Sequence, residues 1–572
     1  MTLSSYVHGA VDTPLLGQTI GQSFDQATEK YGDNLALVSR KQGLRYSYRE
    51  LREQVDRVAC SLRRLGFRKG DRLGLWATNC AEWTVIQYAT AKAGIVLVTL
   101  NPSYRRTELE YSLNKVACSG LVLISSFKDS DYEEMVYDVV PELKTSAIGE
   151  LRSEKVPSLR YVVKLEEEAS EGMLNYRDLL VEPTAEELED LQTLGQELQF
   201  DEPINIQFTS GTTGSPKGTT LTHNNILNNG FFIGEKIKLS PEDRVSIAVP
   251  LFHCFGMVIG NLACVTHGSA MVYHGPVFNP TDNLKVIEEE KCTAAYGVPT
   301  MFIAMLEHPE FKSFDLSTLR TGVMAGSVCP MEVMRRVVQE MNMEEVTICY
   351  GMTETSPVSL QSDVDDPLDK RVSTVGRIHP HLEVKIIDDF GRIVPRGTSG
   401  ELCTRGYSVM LGYWGEPELT AEVIDRAGWM HTGDLAVMDE EGYCNIVGRI
   451  KDMVIRGGEN LFPREVEDFL YTHPNVLDVQ VVGVPDDVYG EELCAWIMLK
   501  EGASLTEDEV REYCAGKISR QKIPRYIRFA TEFPMTASGK IQKFKIREMM
   551  IEELEAAKVA KAAAEDKGEG VM

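Results

Sequence analysis

The chain has 572 residues, with 59 Lys and Arg against 86 Asp and Glu and a formal net charge of −27. At 43% apolar and 25% charged residues it is long enough for several packed units and too apolar for wholesale disorder. A surface this acidic has no surplus of cations to displace counterions from nucleic acid or to dock on anionic lipid, which argues against those partners and says nothing about a local pocket. A homo-oligomer is possible.

Short β-branched runs alternate with helical patterns from the start. Asn34–Ser39 and Arg45–Tyr48 read as strands, Arg49–Leu65 as a helix closed by Gly66, and Asp71–Trp76 as a strand. Ala81–Ala93 reads as a helix and Ile95–Leu100 as a buried strand. The alternation predicts an α/β fold with mainly parallel sheets. Leu165–Glu202 carries thirteen acidic residues against Arg177 alone, with Leu188, Leu191, Leu194 and Leu198 at helical spacing, as in a solvated surface helix. Val245–Thr281 lacks any charged residue and is long enough to cross a bilayer. Pro250, Gly256, Gly260, Gly268 and Gly275-Pro276 break it, however, so the expectation is strand, loop, helix and strand inside a soluble core, with no transmembrane segment. Glu552–Met572, rich in Ala, Lys and Glu, reads as a frayed terminal helix.

The 12 cysteines lie singly, without a CxxC pair, as expected of free buried thiols in a reducing compartment. The first thirty residues contain neither a secretory apolar core nor an arginine-bearing transit pattern. A cytoplasmic location follows, or the mitochondrial matrix if a presequence has been removed.

The most informative segment is Thr209-Ser210-Gly211-Thr212-Thr213-Gly214-Ser215-Pro216-Lys217-Gly218. It follows an apolar run (Ile204, Ile206, Phe208) that reads as a strand and precedes a helical pattern from His223. Hydroxyls and glycines at this density give a loop whose backbone N–H groups can converge on phosphate oxygens, and Lys217 adds a mobile positive charge. No Gly-Lys-Ser/Thr closes the loop, so it is not the Walker pattern. The alternative is a flexible Ser/Gly/Thr turn.

This loop resembles the phosphate loop of the adenylate-forming superfamily. Tyr350-Gly351-Met352-Thr353-Glu354-Thr355, Gly400-Glu401-Leu402, Thr432-Gly433-Asp434, Gly448-Arg449-Ile450-Lys451-Asp452 and Ser538-Gly539-Lys540-Ile541 follow in the superfamily's order. Each is weak alone; together they are specific and span nearly the whole chain. The runs Phe208–Gly218, Arg405–Trp414 and Arg456-Gly457-Gly458-Glu459-Asn460 look closest to the medium-chain acyl-CoA ligase branch.

The resemblance implies a large α/β adenylation domain over 1–450 and a small mobile α+β domain over 451–572, with ATP, Mg²⁺ and CoA as cofactor and co-substrates. By position, Glu354 would bind Mg²⁺, Thr353 would donate to the α-phosphate, and Asp434 would accept from the ribose hydroxyls. Arg449 would reach ribose or phosphate. Gly326-Ser327 and Tyr350-Gly351 would line the adenine slot. Lys540 would bridge the carboxylate and the α-phosphate. Lys451 aligns with a hinge between two catalytic states, and Gly457-Gly458 with the turn beside the pantetheine tunnel.

Pro250-Leu251-Phe252-His253-Cys254-Phe255-Gly256 resembles the superfamily's aromatic motif beside the carboxylate, which implies His253, with Gly326 and Met352, at the acid substrate, either near the carboxylate or gating the pocket; the alternative for His253 is a satisfied core histidine. The charge-free run has no Asp to hold an ammonium group, which disfavours an amino acid. A neutral lining of Phe255, Met257, Met301, Met324 and Met352 suits an alkyl chain, although Met at such spacing is also ordinary core. The expected activity is medium-chain fatty acid–CoA ligation through an acyl-adenylate. The alternatives are an aryl or short branched-chain acid, a carrier protein acceptor in trans, and a non-catalytic adenylate-binding module.

Overall fold

The computed structural model describes residues 3–209, 216–327, 329–457, 459–486, 488–536 and 539–568, the last ten by backbone alone. Ser210, Gly211, Thr212, Thr213, Gly214, Ser215 and Gly458 lie outside the described residues.

Ser47 and Glu50 form a capping box that starts the helix Tyr48–Arg64, and Thr222 and Asn225 start His223–Lys236 in the same way. The helix Ala81–Ala93 is buried at every position except Glu82, as its near-continuous apolar character requires. Its one cation, Lys92, meets Asp25 at 2.7 Å and Asp56 at 2.5 Å.

Among the described residues these helices pack between two large sheets. The eight-stranded sheet runs in parallel from Leu174–Asn175 through Tyr161–Lys164, Gly120–Leu123, Arg72–Trp76 and Val96–Thr99 to Pro203–Thr209. Lys217–Thr222 and Gly412–Tyr413 then close it antiparallel. The nine-stranded sheet has a parallel centre that includes Arg244–Ile247, Ala294–Gly297, Thr321–Ala325 and Glu345–Gly351. One apolar core joins the facing sides of both sheets.

A five-stranded antiparallel sheet follows, including Gly400–Gly406, Met430–Met438 and Cys444–Arg449. Beyond it lies a smaller five-stranded sheet with its own core around Val479, Leu493 and Ile497, flanked by Pro463–Leu470 and Glu507–Cys514.

The early elements sit where their patterns place them, as Leu35–Ser39, Leu44–Ser47, Tyr48–Arg64, Arg72–Trp76, Ala81–Ala93 and Val96–Thr99. The acidic segment holds the helix Ala185–Glu197; Leu191 and Leu194 are buried, while Leu188 is exposed. The charge-free run folds as Arg244–Ile247, a π-helical stretch Phe255–Leu262, Ala263–His267 and Ala270–Tyr273. No helix among the described residues is long and apolar enough to cross a membrane. All 12 cysteines are free thiols, and all but Cys80 are buried. The last helix runs Lys543–Gly568.

Burial drives His223, His253 and His379 down to about 3 and His274 to about 4. They fold as neutral rings, whereas the unfolded chain takes up protons below about pH 6.5. Their contribution is therefore fully present above that value and lost as pH falls towards the folded pKa, by at most about 1.4 kcal/mol per ring per pH unit. The thermal midpoint should drop between pH 6.5 and 4.5, before most carboxylates titrate, and His379→Gln should flatten that limb in a pH series of melting curves. An unchanged limb in the variant would remove His379 from the balance.

Candidate active site

The described ends of the Thr209–Gly218 segment belong to two antiparallel strands, Pro203–Thr209 and Lys217–Thr222. Thr209 pairs with Lys217, and the helix begins only after the second strand, at His223. The strand Lys217–Thr222 is the difference from the sequence reading; its signal was the β-branched Thr219-Thr220-Leu221-Thr222 run. The Lys217 ammonium lies 5.0 Å from the centre of the Tyr413 ring.

Glu354 sits in the tight turn Thr353–Thr355 after the strand Glu345–Gly351. It is buried, and Oε1 accepts from the Tyr413 hydroxyl at 2.9 Å and from Thr209 Oγ1 at 3.5 Å. No Lys or Arg pairs with it within 4.0 Å among the described residues. A buried carboxylate held by hydroxyls alone retains oxygen capacity for a hard cation, so the residues fit Mg²⁺. Asn229 holds the start of the strand Val358–Gln361 that follows the turn: its amide donates to the Val358 carbonyl at 2.8 Å and accepts from the Val358 N–H at 3.0 Å. Gly351 is required here: a Cβ would lie 1.7 Å from the Pro357 carbonyl oxygen.

Tyr350 and Asp434 come together from different sheets. The Tyr350 hydroxyl donates to Asp434 Oδ2 at 2.6 Å, and Arg449, paired across the strands with Asp434, approaches Oδ1 with Nε at 3.3 Å. Burial raises the Asp434 carboxyl above its ordinary value, with Arg449 and the Tyr350 hydrogen bond opposing. The Arg449 side chain is 71% exposed and so has room to reach a ligand.

Lys540 arrives from the far end of the chain. The Thr536 N–H donates to the Lys540 carbonyl at 2.7 Å, and Thr300 Oγ1 donates to the Gly539 carbonyl at 3.3 Å. Lys540 then enters the cleft at Gly326, where a Cβ would meet its Cε at 3.4 Å and Val298 at 3.0 Å. Gly326 has φ +90°, so the turn after Thr321–Ala325 needs glycine for conformation as well as space. The residue is half-buried overall, but its ammonium is enclosed. Burial pulls its pKa below the ordinary lysine value; Cys254 opposes this, Arg449 adds to it, and Glu354 opposes it.

Val249, Pro250, His253, Phe255, Val298 and Lys540 line a small pocket of about 10 Å³, close to the room one water needs. The Phe255 N–H donates to His253 Nδ1 at 3.2 Å, which leaves the neutral ring's proton on Nε2. Burial, then the Lys540 charge, holds that ring neutral. Cys254 places Sγ 3.9 Å from Thr353 Oγ1, and burial pushes its thiol up to about 12.

Met324 does not belong to the cleft wall. Strand alternation points Val323 and Ala325 into the core shared with Phe255, Met257 and Met301, and Met324 into the core on the other side of the sheet. Met352 borders Thr353 but is not among the cavity-lining residues. Ser327 follows Gly326 in the same bend. Lys451 is exposed in the turn Ile450–Asp452, between Cys444–Arg449 and Val454–Arg456. Gly457 has φ +59°, donates its N–H to the Tyr489 carbonyl at 2.8 Å, and has only the Tyr489 ring within 4 Å of a would-be Cβ.

Tyr413 is a candidate site residue that sequence reasoning left inside a family-like run. Pairing of Tyr413 with Thr219 across the sheet brings it to Glu354, a register no local pattern announces. Loss of a hydrogen bond to a charged group costs about 1.5–3 kcal/mol. Tyr413→Phe should lower adenylation roughly tenfold and raise the Mg²⁺ needed for half-maximal pyrophosphate release. An unchanged Mg²⁺ titration would remove Tyr413 from this role.

A bound carboxylate and a polyphosphate would thus meet two lysines, an arginine and a cation-binding carboxylate drawn from four segments of the chain. The chain belongs to the AMP-binding enzyme family: that family's description matches residues 24–414, and the AMP-binding enzyme C-terminal domain matches 465–540. The YngI protein of Bacillus subtilis (strain 168), an acyl-CoA synthetase by name, is 49% identical over 94% of this chain and 98% of its own length. The mitochondrial medium-chain acyl-CoA ligase ACSF2 of Macaca fascicularis is 46% identical over 96% of this chain and 89% of its own. Among solved structures, the anthranilate CoA ligase AuaEII in complex with anthranoyl-AMP superposes with a TM-score of 0.82 at 25% identity, covering 94% of this chain and 98% of that one. The fold is that of the adenylate-forming enzymes.

Proposed function

We propose that this enzyme is a medium-chain fatty acid–CoA ligase, AMP-forming, acting in the cytoplasm or the mitochondrial matrix. The observation that carries the reading is Lys540, delivered from the C-terminal end into a cleft formed by Gly326, His253 and Phe255. A carboxylate oxygen attacks the α-phosphorus of ATP and the bond to the bridging oxygen breaks, releasing pyrophosphate. The CoA sulfur then attacks the acyl carbon, its proton leaves, and AMP departs with the carboxylate oxygen.

In the first step Lys540 answers the negative charge that gathers between carboxylate and phosphate, where it acts in a site shielded from water. Neutral His253 offers Nε2–H to the carboxylate without competing for it as a second charge. Asp434, held by the Tyr350 hydroxyl, accepts from the ribose, Tyr350 itself lines the adenine slot, and Lys217 meets the outgoing phosphates. Glu354 would hold Mg²⁺, which neutralises polyphosphate charge when bound.

The medium-chain assignment is supported by the ACSF2 relatives and by a cleft lining of Val249, Pro250, His253, Phe255 and Val298 beside Lys540, with no acidic side chain among them. Pyrophosphate release should be measured with acids from butyrate to palmitate, plus benzoate and cinnamate, each with and without CoA. A maximum at intermediate chain length with CoA-dependent turnover is expected. A maximum with an aryl acid, or turnover indifferent to CoA, would overturn the reading.

A further inference from the structure

Away from the cleft, the antiparallel sheet brings three metal-ligating side chains to one face. Glu401 and Cys403 stand two residues apart on Gly400–Gly406, and His431 lies directly opposite Cys403 on Met430–Met438. His431 Nδ1 is 2.9 Å from Glu401 Oε2 and 3.6 Å from Cys403 Sγ, and one ligand atom from each of the three lies within 4.8 Å of the others. We propose that Glu401, Cys403 and His431 bind a thiophilic divalent cation of the Zn²⁺ type.

The spacing suits that ion. With Zn–N near 2.0–2.1 Å and Zn–S near 2.3 Å, tetrahedral ligation separates nitrogen from sulfur by roughly 3.6 Å and nitrogen from carboxylate oxygen by about 3.4 Å. The first separation is already present, and the second needs an opening of about half an ångström. The other ring nitrogen, Nε2, lies 3.9 Å from Asp425 Oδ2, about an ångström longer than the hydrogen bond that fixes a ligating imidazole in a carboxylate–histidine–metal arrangement. Cys403 is fully buried against Ile387 and Trp429, which gives the sulfur an apolar shell. Glu401 and His431 are only partly buried, at 22% and 31% side-chain exposure, so an ion can enter and a fourth position faces outward for water.

Binding breaks the Cys403 S–H bond, the proton going to solvent as the thiolate takes the metal; no electron is transferred. The preference for Zn²⁺ over Mg²⁺ follows from the thiolate and imidazole, so this site and the Glu354 site would not compete for the same ion. Occupancy would also reach the nucleotide site. Glu401 Oε1 accepts from the Gly433 N–H at 3.2 Å, and Gly433 precedes Asp434. Ligation through the same carboxylate pins that turn.

Co²⁺, added to the metal-free full-length enzyme, is the probe, because a thiolate–Co²⁺ charge-transfer band reports sulfur ligation directly. One equivalent should give that band together with tetrahedral ligand-field bands, and Zn²⁺ should erase them. Cys403→Ser should abolish the charge-transfer band, and His431→Gln and Glu401→Gln, each with Cys403 intact, should weaken Co²⁺ binding at least tenfold. Absence of the band in the wild type, its survival in Cys403→Ser, or affinities unchanged in both His431→Gln and Glu401→Gln would overturn the site. Should Cys403→Ser fail to fold, the two variants that keep the thiol decide the matter.

Discussion

Lys540→Ala should abolish acyl-adenylate formation while sparing the transfer of a preformed acyl-adenylate to CoA. The Lys540 ammonium is enclosed in the cleft against Gly326, Phe255 and His253, and the cavity beside it has room for about one water. Solvent cannot replace the missing charge there, and deleting one preorganised donor to a developing oxyanion costs about 10²- to 10³-fold in rate. The second step needs no cation at that point, since the attacking sulfur approaches an acyl carbon and charge is leaving with AMP. Pyrophosphate exchange and single-turnover thioester formation from synthetic acyl-adenylate separate the two. Equal loss in both half-reactions would take Lys540 out of the first step. The depressed ammonium pKa gives a further readout: it should move back towards the ordinary lysine range when ATP binds, because the phosphates offset the cost of burial.

Lys451→Pro should leave adenylation intact and stop thioester formation. Lys451 occupies the short turn between the strand that ends at Arg449 and the one that begins at Val454. In the arrangement described, Lys540 fills the cleft while Gly457, assigned to the pantetheine side, lies against Tyr489. Both assignments hold in one enzyme only if the C-terminal segment turns between steps, and the turn at Lys451 is where φ and ψ can change at least cost. Proline fixes φ near −65° and removes that freedom. Burst kinetics should show one equivalent of pyrophosphate released and little acyl-CoA formed, with turnover down at least a hundredfold, about 2.7 kcal/mol on the rate-limiting barrier. Normal acyl-CoA turnover would move the hinge elsewhere.

The motifs were legible because each is local. Tyr350 through Thr355 form one strand end and one turn, and Asp434 and Arg449 each sit on a single strand. Their order along the chain was enough to assemble them on paper. Tyr413 and Asn229 were not legible, because their contacts depend on cross-sheet register and on which helix face meets the strand Val358–Gln361. Met324 was misplaced for a related reason: methionine reads as pocket lining or as core, and only the parity of its strand decides. The zinc-type cluster was invisible because cysteine, glutamate and histidine here share no short spacing motif; Cys403 and His431 are 28 residues apart and meet only by antiparallel pairing.

The narrowness of the cavity beside Lys540 bears on how the enzyme conserves ATP. On the proposed reading, a mixed anhydride formed behind that side chain would be shielded from bulk water, and the turning movement that would admit the thiol is also what would let the anhydride leak. Fidelity is then set by timing. When CoA is scarce such an enzyme would hold its activated acid in waiting, and ATP would be spent once per thioester instead of being drained by hydrolysis.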